Sequence, residues 1–152
     1  MDMMRESMFS ILGDLSGLSF LDLFSGSGIV GIEAASRNAE NVTLVEKDRQ
    51  KKSIILSNLS FVESKIDLIL YPAIRFIKTC KSTFDIIYLD PPFNMKNKMD
   101  YISLIAEKEI LNPDGIIFIH IPKEDKYIEE IKPFTLYDKR KYGRSILLFY
   151  HR

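Results

Sequence analysis

Phe20-Leu-Asp-Leu-Phe-Ser-Gly-Ser-Gly-Ile-Val-Gly-Ile-Glu-Ala-Ala-Ser36 places a strand, a turn and a helix in immediate succession. Phe20–Phe24 reads as a short apolar strand and Ser25–Gly28 as a tight turn. Ile29–Ser36 reads as a helix. Glycines between a strand and a helix let the chain turn sharply and let a ligand approach the backbone. The helix amino terminus behind them offers N–H groups with no partner inside the helix.

The same alternation extends in both directions. Upstream, Met4, Met8, Ile11, Leu12 and Leu15 fall near helical spacing, and Gly13 and Gly17 mark the end of that helix. Downstream, Val42–Val45 reads as a strand that ends at Glu46. Asp48 can cap a helix running to about Asn58. Ile66–Leu70 is a third strand, Ala73–Thr79 a short helix and Phe84–Leu89 a mostly apolar run that reads as a fully buried fourth strand. A helix over Tyr101–Lys108 leads to Asn112-Pro-Asp-Gly115, which is a turn signal, and then to a fifth strand at Ile116–Ile119. The charged segment Lys123–Lys132 is predicted to be helical. Thr135–Tyr137 and Ile146–Tyr150, joined through Tyr142-Gly143, are predicted to form a hairpin. Strands that alternate with helices imply an α/β fold. Its sheet is mostly parallel, with helices on both faces, and the hairpin forms an antiparallel edge.

Composition narrows the possibilities. The chain has 152 residues, 46% hydrophobic and 28% charged, with a net charge of zero. This fits one domain, residues 1–152, with a substantial core. No apolar run is long enough to span a bilayer, and no secretory signal is evident. A single cysteine, Cys80, cannot form an internal disulfide, so a cytoplasmic setting is expected. Cys80 is read as a packed thiol. No Cys/His spacing suggests a metal site. Zero net charge argues against strong non-specific nucleic-acid binding but leaves room for a local basic face. Lys96 and Lys98 form one such cluster; Lys139, Arg140, Lys141 and Arg144 form another. These are candidate phosphate contacts.

Two stretches carry chemistry. Asp90-Pro-Pro-Phe93 follows the fourth strand, so it belongs at the carboxyl edge of the sheet, where open α/β sheets bind ligands. Pro91 and Pro92 stiffen the turn and leave the backbone carbonyls of Asp90 and Pro91 free to accept. A rigid pair of acceptors beside an aromatic ring can hold a planar base by its exocyclic amino group while Phe93 stacks on its face. The plainer alternative is a Pro-Pro turn capped by an Asp. The second stretch is the glycine turn. Gly26, Gly28 and Gly31 satisfy G-x-G-x-x-G, and Glu46 ends the next strand, where it could bind ribose hydroxyls. A nicotinamide enzyme and a nucleoside-binding one both fit. Asp22 favours the second: a carboxylate before the turn would repel a pyrophosphate but attract a cationic amino group.

Taken together, Asp22–Arg37, Val45-Glu46 and Leu89-Asp-Pro-Pro-Phe93 resemble the class I S-adenosylmethionine methyltransferases that modify amino nitrogens of bases. Met4–Leu12, Ser36-Arg37 and Lys141–Tyr150 bring the chain nearer to the bacterial 16S ribosomal RNA guanine-N2 methyltransferase family. The resemblance covers almost the whole chain. It implies a Rossmann-like class I methyltransferase fold and S-adenosyl-L-methionine as cofactor. It implies methyl transfer to the N2 atom of a guanine in 16S ribosomal RNA or a small-subunit assembly intermediate, by a monomer without membrane or metal. Laid on this sequence, it assigns Asp90, Pro91, Pro92 and Phe93 to catalysis. Asp22, Phe24, Ser25, Gly26, Ser27, Gly28, Glu46, Lys47, Pro72 and Ala73 would hold the cofactor. Lys96, Lys98, Arg140, Lys141 and Arg144 would contact RNA. Two features depart from the family. The sequence starts at Met1, just ahead of the first helix, so the family's usual amino-terminal β-hairpin and basic stretch are expected to be missing or removed. Pro72 also stands where an acidic residue usually faces adenine, so adenine would rely on backbone near Ala73 and on apolar contact. The rival expectations are an adenine-N6 methyltransferase, a nicotinamide oxidoreductase and a non-catalytic RNA-binding module. The first usually carries an added target-recognition domain. The second needs a hydride-handling residue, and the only histidines are His120 and His151, the former expected to be a satisfied core residue.

Overall fold

The structure, a computed structural model, describes residues 2–60, 62 and 65–152. In chain order it contains α1 (Asp2–Leu12), β1 (Ser19–Asp22), α2 (Ile29–Ser36), β2 (Asn41–Val45), a 3₁₀ turn at Arg49–Lys51 and α3 (Lys52–Leu59). There follow β3 (Ile66–Ile69), α4 (Ala73–Thr79), β4 (Phe84–Leu89), α5 (Met99–Lys108) and β5 (Leu111–Pro122). The chain ends with β6 (Glu130–Ile131), β7 (Phe134–Tyr142) and β8 (Ser145–His151). Eight strands form one sheet in the order β3-β2-β1-β4-β5-β8-β7-β6. The first five run parallel to one another, and β8, β7 and β6 continue the sheet antiparallel. This is the mixed α/β architecture that the alternation predicts.

The inner parallel strands are buried on both faces, so their successive residues enter opposite cores, while β3 forms a half-exposed edge. Leu21, Ile87, Ile117 and Ile119 pack with Ile77 of α4 and Ile102 and Ile105 of α5. Phe20, Ile86 and Phe118 pack on the other side with Met8 and Phe9 of α1, Ala34 of α2 and Ile55 of α3. Gly31 sits where α2 meets β2: a Cβ there would stand 2.2 Å from Leu44 Cδ2. Asp48 caps the turn before α3 by accepting from Gln50 N at 3.0 Å.

Two expectations fail. Asn112–Gly115 is not a turn ahead of the fifth strand; β5 already starts at Leu111, and these residues form a bulge within it. Phe84 pairs with Leu111 and Ile86 with Ile116, so β5 advances five residues while β4 advances two. Asn112 Nδ2 donates to Asp85 Oδ1 at 2.9 Å, and the other oxygen of Asp85 accepts from Ser19 N at 2.9 Å. The turn chemistry is therefore satisfied inside the ladder. Lys123–Lys132 is not a helix. Lys123 N donates to Arg144 O at 2.8 Å, Leu136 N to Glu129 O at 2.8 Å, and Tyr150 Oη to Ile128 O at 2.8 Å. Partners outside the segment thus take its backbone groups. Ile131 is buried while Ile128 is exposed, so no apolar stripe exists to hold a helix against the core. The hairpin forms, with β7 reaching Tyr142 and carrying a bulge at Leu136–Asp138.

Candidate active site

The carboxyl ends of β1, β2, β3 and β4 all open onto one edge of the sheet, as parallel strands require. A cavity of about 440 Å³ lies there. Phe24 and Gly26 from the first turn line it, as do Glu46, Lys47 and Asp48 after β2 and Pro72, Ala73 and Ile74 after β3. Asp90, Pro92 and Met95 after β4 and Tyr101 of α5 complete it. The glycine turn and the Asp90 turn, 62 residues or more apart in sequence, therefore share one hollow. Its size suits a nucleoside-sized ligand.

The first turn is built by hydrogen bonds around two carboxylates. Gly28 adopts a left-handed conformation (φ +85°) just ahead of α2, and its N–H donates to Ser25 O at 2.8 Å. That φ strongly favours glycine. Glu46 is buried; its Oε1 accepts from Gly26 N at 2.8 Å and its Oε2 from Asp48 N at 3.0 Å. One carboxylate thus clamps the loops after β1 and β2, and each oxygen keeps a further lone pair for a ligand hydroxyl. Asp22 is 1% exposed. Burial pushes its carboxyl up to about 8, and the nearby Asp90 and Glu46 add to the rise, opposed by the Phe24 N–H at 3.3 Å. Asp22, Ser25, Ser27 and Gly28 do not themselves line the cavity. They hold the turn from behind. Ser25 Oγ donates to Asp22 O at 3.1 Å, and Asn58 Nδ2 donates to Ser27 O at 2.9 Å. Pro72 is exposed at the start of α4 and Ala73 is buried. That wall of the cavity is apolar.

At the second corner, Pro91 is buried and Pro92 exposed. The Asp90 carboxylate is met by His120 of β5, with Nδ1 at 2.9 Å from Oδ1. Tyr88 is buried within reach of the same carboxylate. Burial, then Asp90 and Asp22, push its hydroxyl well above the usual tyrosine range. Phe93 is 51% exposed and stands edge-on to the His120 ring, centroids 5.3 Å apart. Its carbonyl accepts from Lys98 Nζ at 2.8 Å, so the backbone is pinned while the ring stays open to solvent.

The candidate phosphate contacts divide. Lys98 must be withdrawn: it is 5% exposed, and its ammonium is taken up by Asp125 and the Phe93 carbonyl. Two charge-assisted hydrogen bonds to internal oxygens offset the cost of taking the ammonium out of water and leave it unavailable for phosphate. Lys96 is exposed beside Phe93, and Lys141 and Arg144 are exposed on the β7–β8 hairpin. Arg140 is exposed and pairs with Asp138 at 3.0 Å. Sequence reasoning took His120 for a satisfied core residue. The missing signal is register: Leu89 pairs with Ile119, which sets Asp90 beside His120.

A five-stranded parallel sheet ending in an antiparallel hairpin, with its cavity at the carboxyl edge, is the class I methyltransferase fold. The chain superposes on an Escherichia coli structure described as a methyltransferase with a TM-score of 0.92. The match covers 100% of this chain and 86% of that one at 26% identity. SMU.776, a methyltransferase structure complexed with SAH, shares the fold at a TM-score of 0.79 and 20% identity, over 97% of this chain and 48% of that one. The chain belongs to the family described as Conserved hypothetical protein 95, whose model matches residues 1–151. It is 30% identical to the ribosomal RNA small subunit methyltransferase D of Haemophilus influenzae, over 93% of this chain and 76% of that protein.

Proposed function

We propose that this chain methylates the exocyclic N2 of a guanine in the RNA of the small ribosomal subunit, using S-adenosyl-L-methionine. The observation that carries the reading is the single hollow into which both the Gly26–Glu46 corner and the Asp90 corner open. The family relative named for small-subunit ribosomal RNA supports the substrate class. The residues at the first corner suit the cofactor. Spare lone pairs on Glu46 match ribose hydroxyls, and the apolar Pro72–Ile74 wall matches an adenine face.

When bound, S-adenosylmethionine supplies a methyl group already activated by its sulfonium, so little acid–base power is asked of the protein. Asp90 and the Pro91 carbonyl accept hydrogen bonds from the amino group and favour the pyramidal nitrogen over the planar one. Phe93 stacks on the base, an interaction that contributes roughly 1–3 kcal/mol elsewhere. The rigid Pro91-Pro92 backbone holds these groups in a fixed attitude. The reading is tested by incubating the protein with labelled S-adenosylmethionine and small subunits that lack its modification, then digesting the RNA to nucleosides. Mass spectrometry should find N2-methylguanosine. N6-methyladenosine would move the substrate to adenine, and no labelled nucleoside would refute methyl transfer to this RNA.

A further inference from the structure

The His120 imidazole is 1% exposed on a strand whose flanking residues, Ile119 and Ile121, are wholly apolar. Its Nδ1 lies 2.9 Å from Asp90 Oδ1, and its Nε2 is buried with no hydrogen-bond partner among the described residues. Packing alone gives no reason for an imidazole here, because an apolar side chain would avoid the orphaned nitrogen. The geometry also selects a tautomer. A carboxylate has no proton to give, so the ring proton belongs on Nδ1, donated to Asp90, and the bare lone pair on Nε2 is the atom left without a partner.

We propose that His120 is a positioning residue for Asp90: its Nδ1–H fixes the rotation of the carboxylate, which then presents its remaining lone pairs to the cavity. The role rests on the function proposed above and deepens it. A carboxylate held by a donor on the protein side accepts only from donors on the ligand side. The site then recognises a base through an exocyclic amino group, and a keto oxygen would meet an acceptor. The other polar groups around the pair fit this arrangement. Tyr88 of β4 presents a protonated hydroxyl to Asp90, with Asp22 of β1 and Arg5 of α1 within electrostatic reach of that hydroxyl. Phe93 closes the ring's outer edge, so the same imidazole seats both the carboxylate and the aromatic ring of the Asp90–Phe93 turn.

Two variants and one spectrum test this. His120→Leu removes the donor and keeps bulk; His120→Asn keeps an amide N–H near the position of Nδ1. In single turnover on unmodified small subunits, His120→Leu should slow methyl transfer about 100-fold while KM for RNA and the cofactor Kd change less than about threefold. His120→Asn should restore the rate to within about tenfold of the parent. A merely structural role predicts equal damage from both substitutions with cofactor affinity falling in step; that result, or a His120→Leu enzyme as fast as the parent, overturns the proposal. Nitrogen-15 spectra of the imidazole need no substrate. They should place the proton on Nδ1 in the parent and lose that preference in Asp90→Ala. A proton found on Nε2 in the parent also overturns the proposal. If the parent yields no N2-methylguanosine but the spectra are as expected, the substrate reading fails and the His120–Asp90 pairing stands.

Discussion

The parallel half of the sheet and its antiparallel half solve different problems. The central strands β1, β4 and β5 pack between helices on both faces, so the middles of these strands are mostly apolar and their chemistry lies toward the carboxyl ends. Asp22, Glu46, Asp90 and His120 each sit at or just beyond such an end, and Asp22, Glu46 and His120 are buried. The β7–β8 hairpin pairs on one side with β5 and on the other only with the two-residue β6. Strand β8 is buried, but β7 shows exposed Lys139, Arg140 and Lys141. One half therefore holds a desolvated, fixed set of acceptors, and the other presents solvated positive charge. The first arrangement suits chemistry on a single base, and the second suits binding to many phosphates. Substitutions in the two halves should then fail in different ways.

Asp90→Ala gives the sharpest expected failure. It removes the acceptor for the amino group and leaves His120 without a partner, so turnover should fall about 1,000-fold. Cofactor affinity by calorimetry should move little, because the proposed role of Asp90 is toward the substrate amino group rather than the ribose. Parallel loss of both quantities would erase the distinction between the two corners of the cavity. Phe93→Ala comes next. The exposed ring offers stacking area and little core packing, so the loss should lie in substrate use, with kcat/KM down about tenfold to a hundredfold and thermal stability unchanged. A large drop in melting temperature would instead make Phe93 a structural prop for His120.

The same division explains how much could be read in advance. Ile29–Ser36, Ala73–Thr79 and Phe84–Leu89 begin and end where the sequence places them, because glycine, proline and polar caps punctuate apolar runs in a parallel sheet. Asp90, Gly26 and Glu46 were legible for the same reason: residues after a parallel strand can only stand at the carboxyl edge. In the antiparallel half Tyr142-Gly143 marks the hairpin turn, but the charged segment Lys123–Lys132 holds no glycine or proline. Lys123–Lys132 looks helical by composition, yet its carbonyls at Ile128 and Glu129 are claimed by Tyr150 and Leu136 from elsewhere in the chain. Lys98 looks like a surface cation until Asp125, 27 residues later, folds back onto it. His120 was missed because its partner is set by the register of β4 against β5. Local patterns locate ends of elements; they do not say which distant polar group arrives beside them.

The hairpin offers the opposite kind of failure. Lys141→Glu with Arg144→Glu should raise KM for RNA about tenfold at low salt, with kcat and cofactor affinity preserved. The slope of log affinity against log salt should fall by about two, one for each phosphate that is no longer neutralised. An unchanged slope would remove the hairpin from the RNA interface. A drop in kcat would tie it to the chemistry and dissolve the contrast between the halves.

The smallest effect concerns Asp22 and is read in protons. Its carboxyl is raised from 3.8 to about 8 by burial, with Asp90 and Glu46 adding to the rise. The folded state therefore binds a proton that the unfolded chain releases above pH 4. The sign follows: this group lowers stability as pH climbs from about 4 to about 8. Asp22→Asn should flatten that part of the stability curve. If the carboxyl meets the cationic amino group of S-adenosylmethionine, binding favours its ionised form and expels the proton. Titrations near pH 7 in buffers of different ionisation heat should show the parent releasing up to about one proton more than Asp22→Asn. Equal proton counts would separate Asp22 from the cofactor and leave it a buried brace of the first turn.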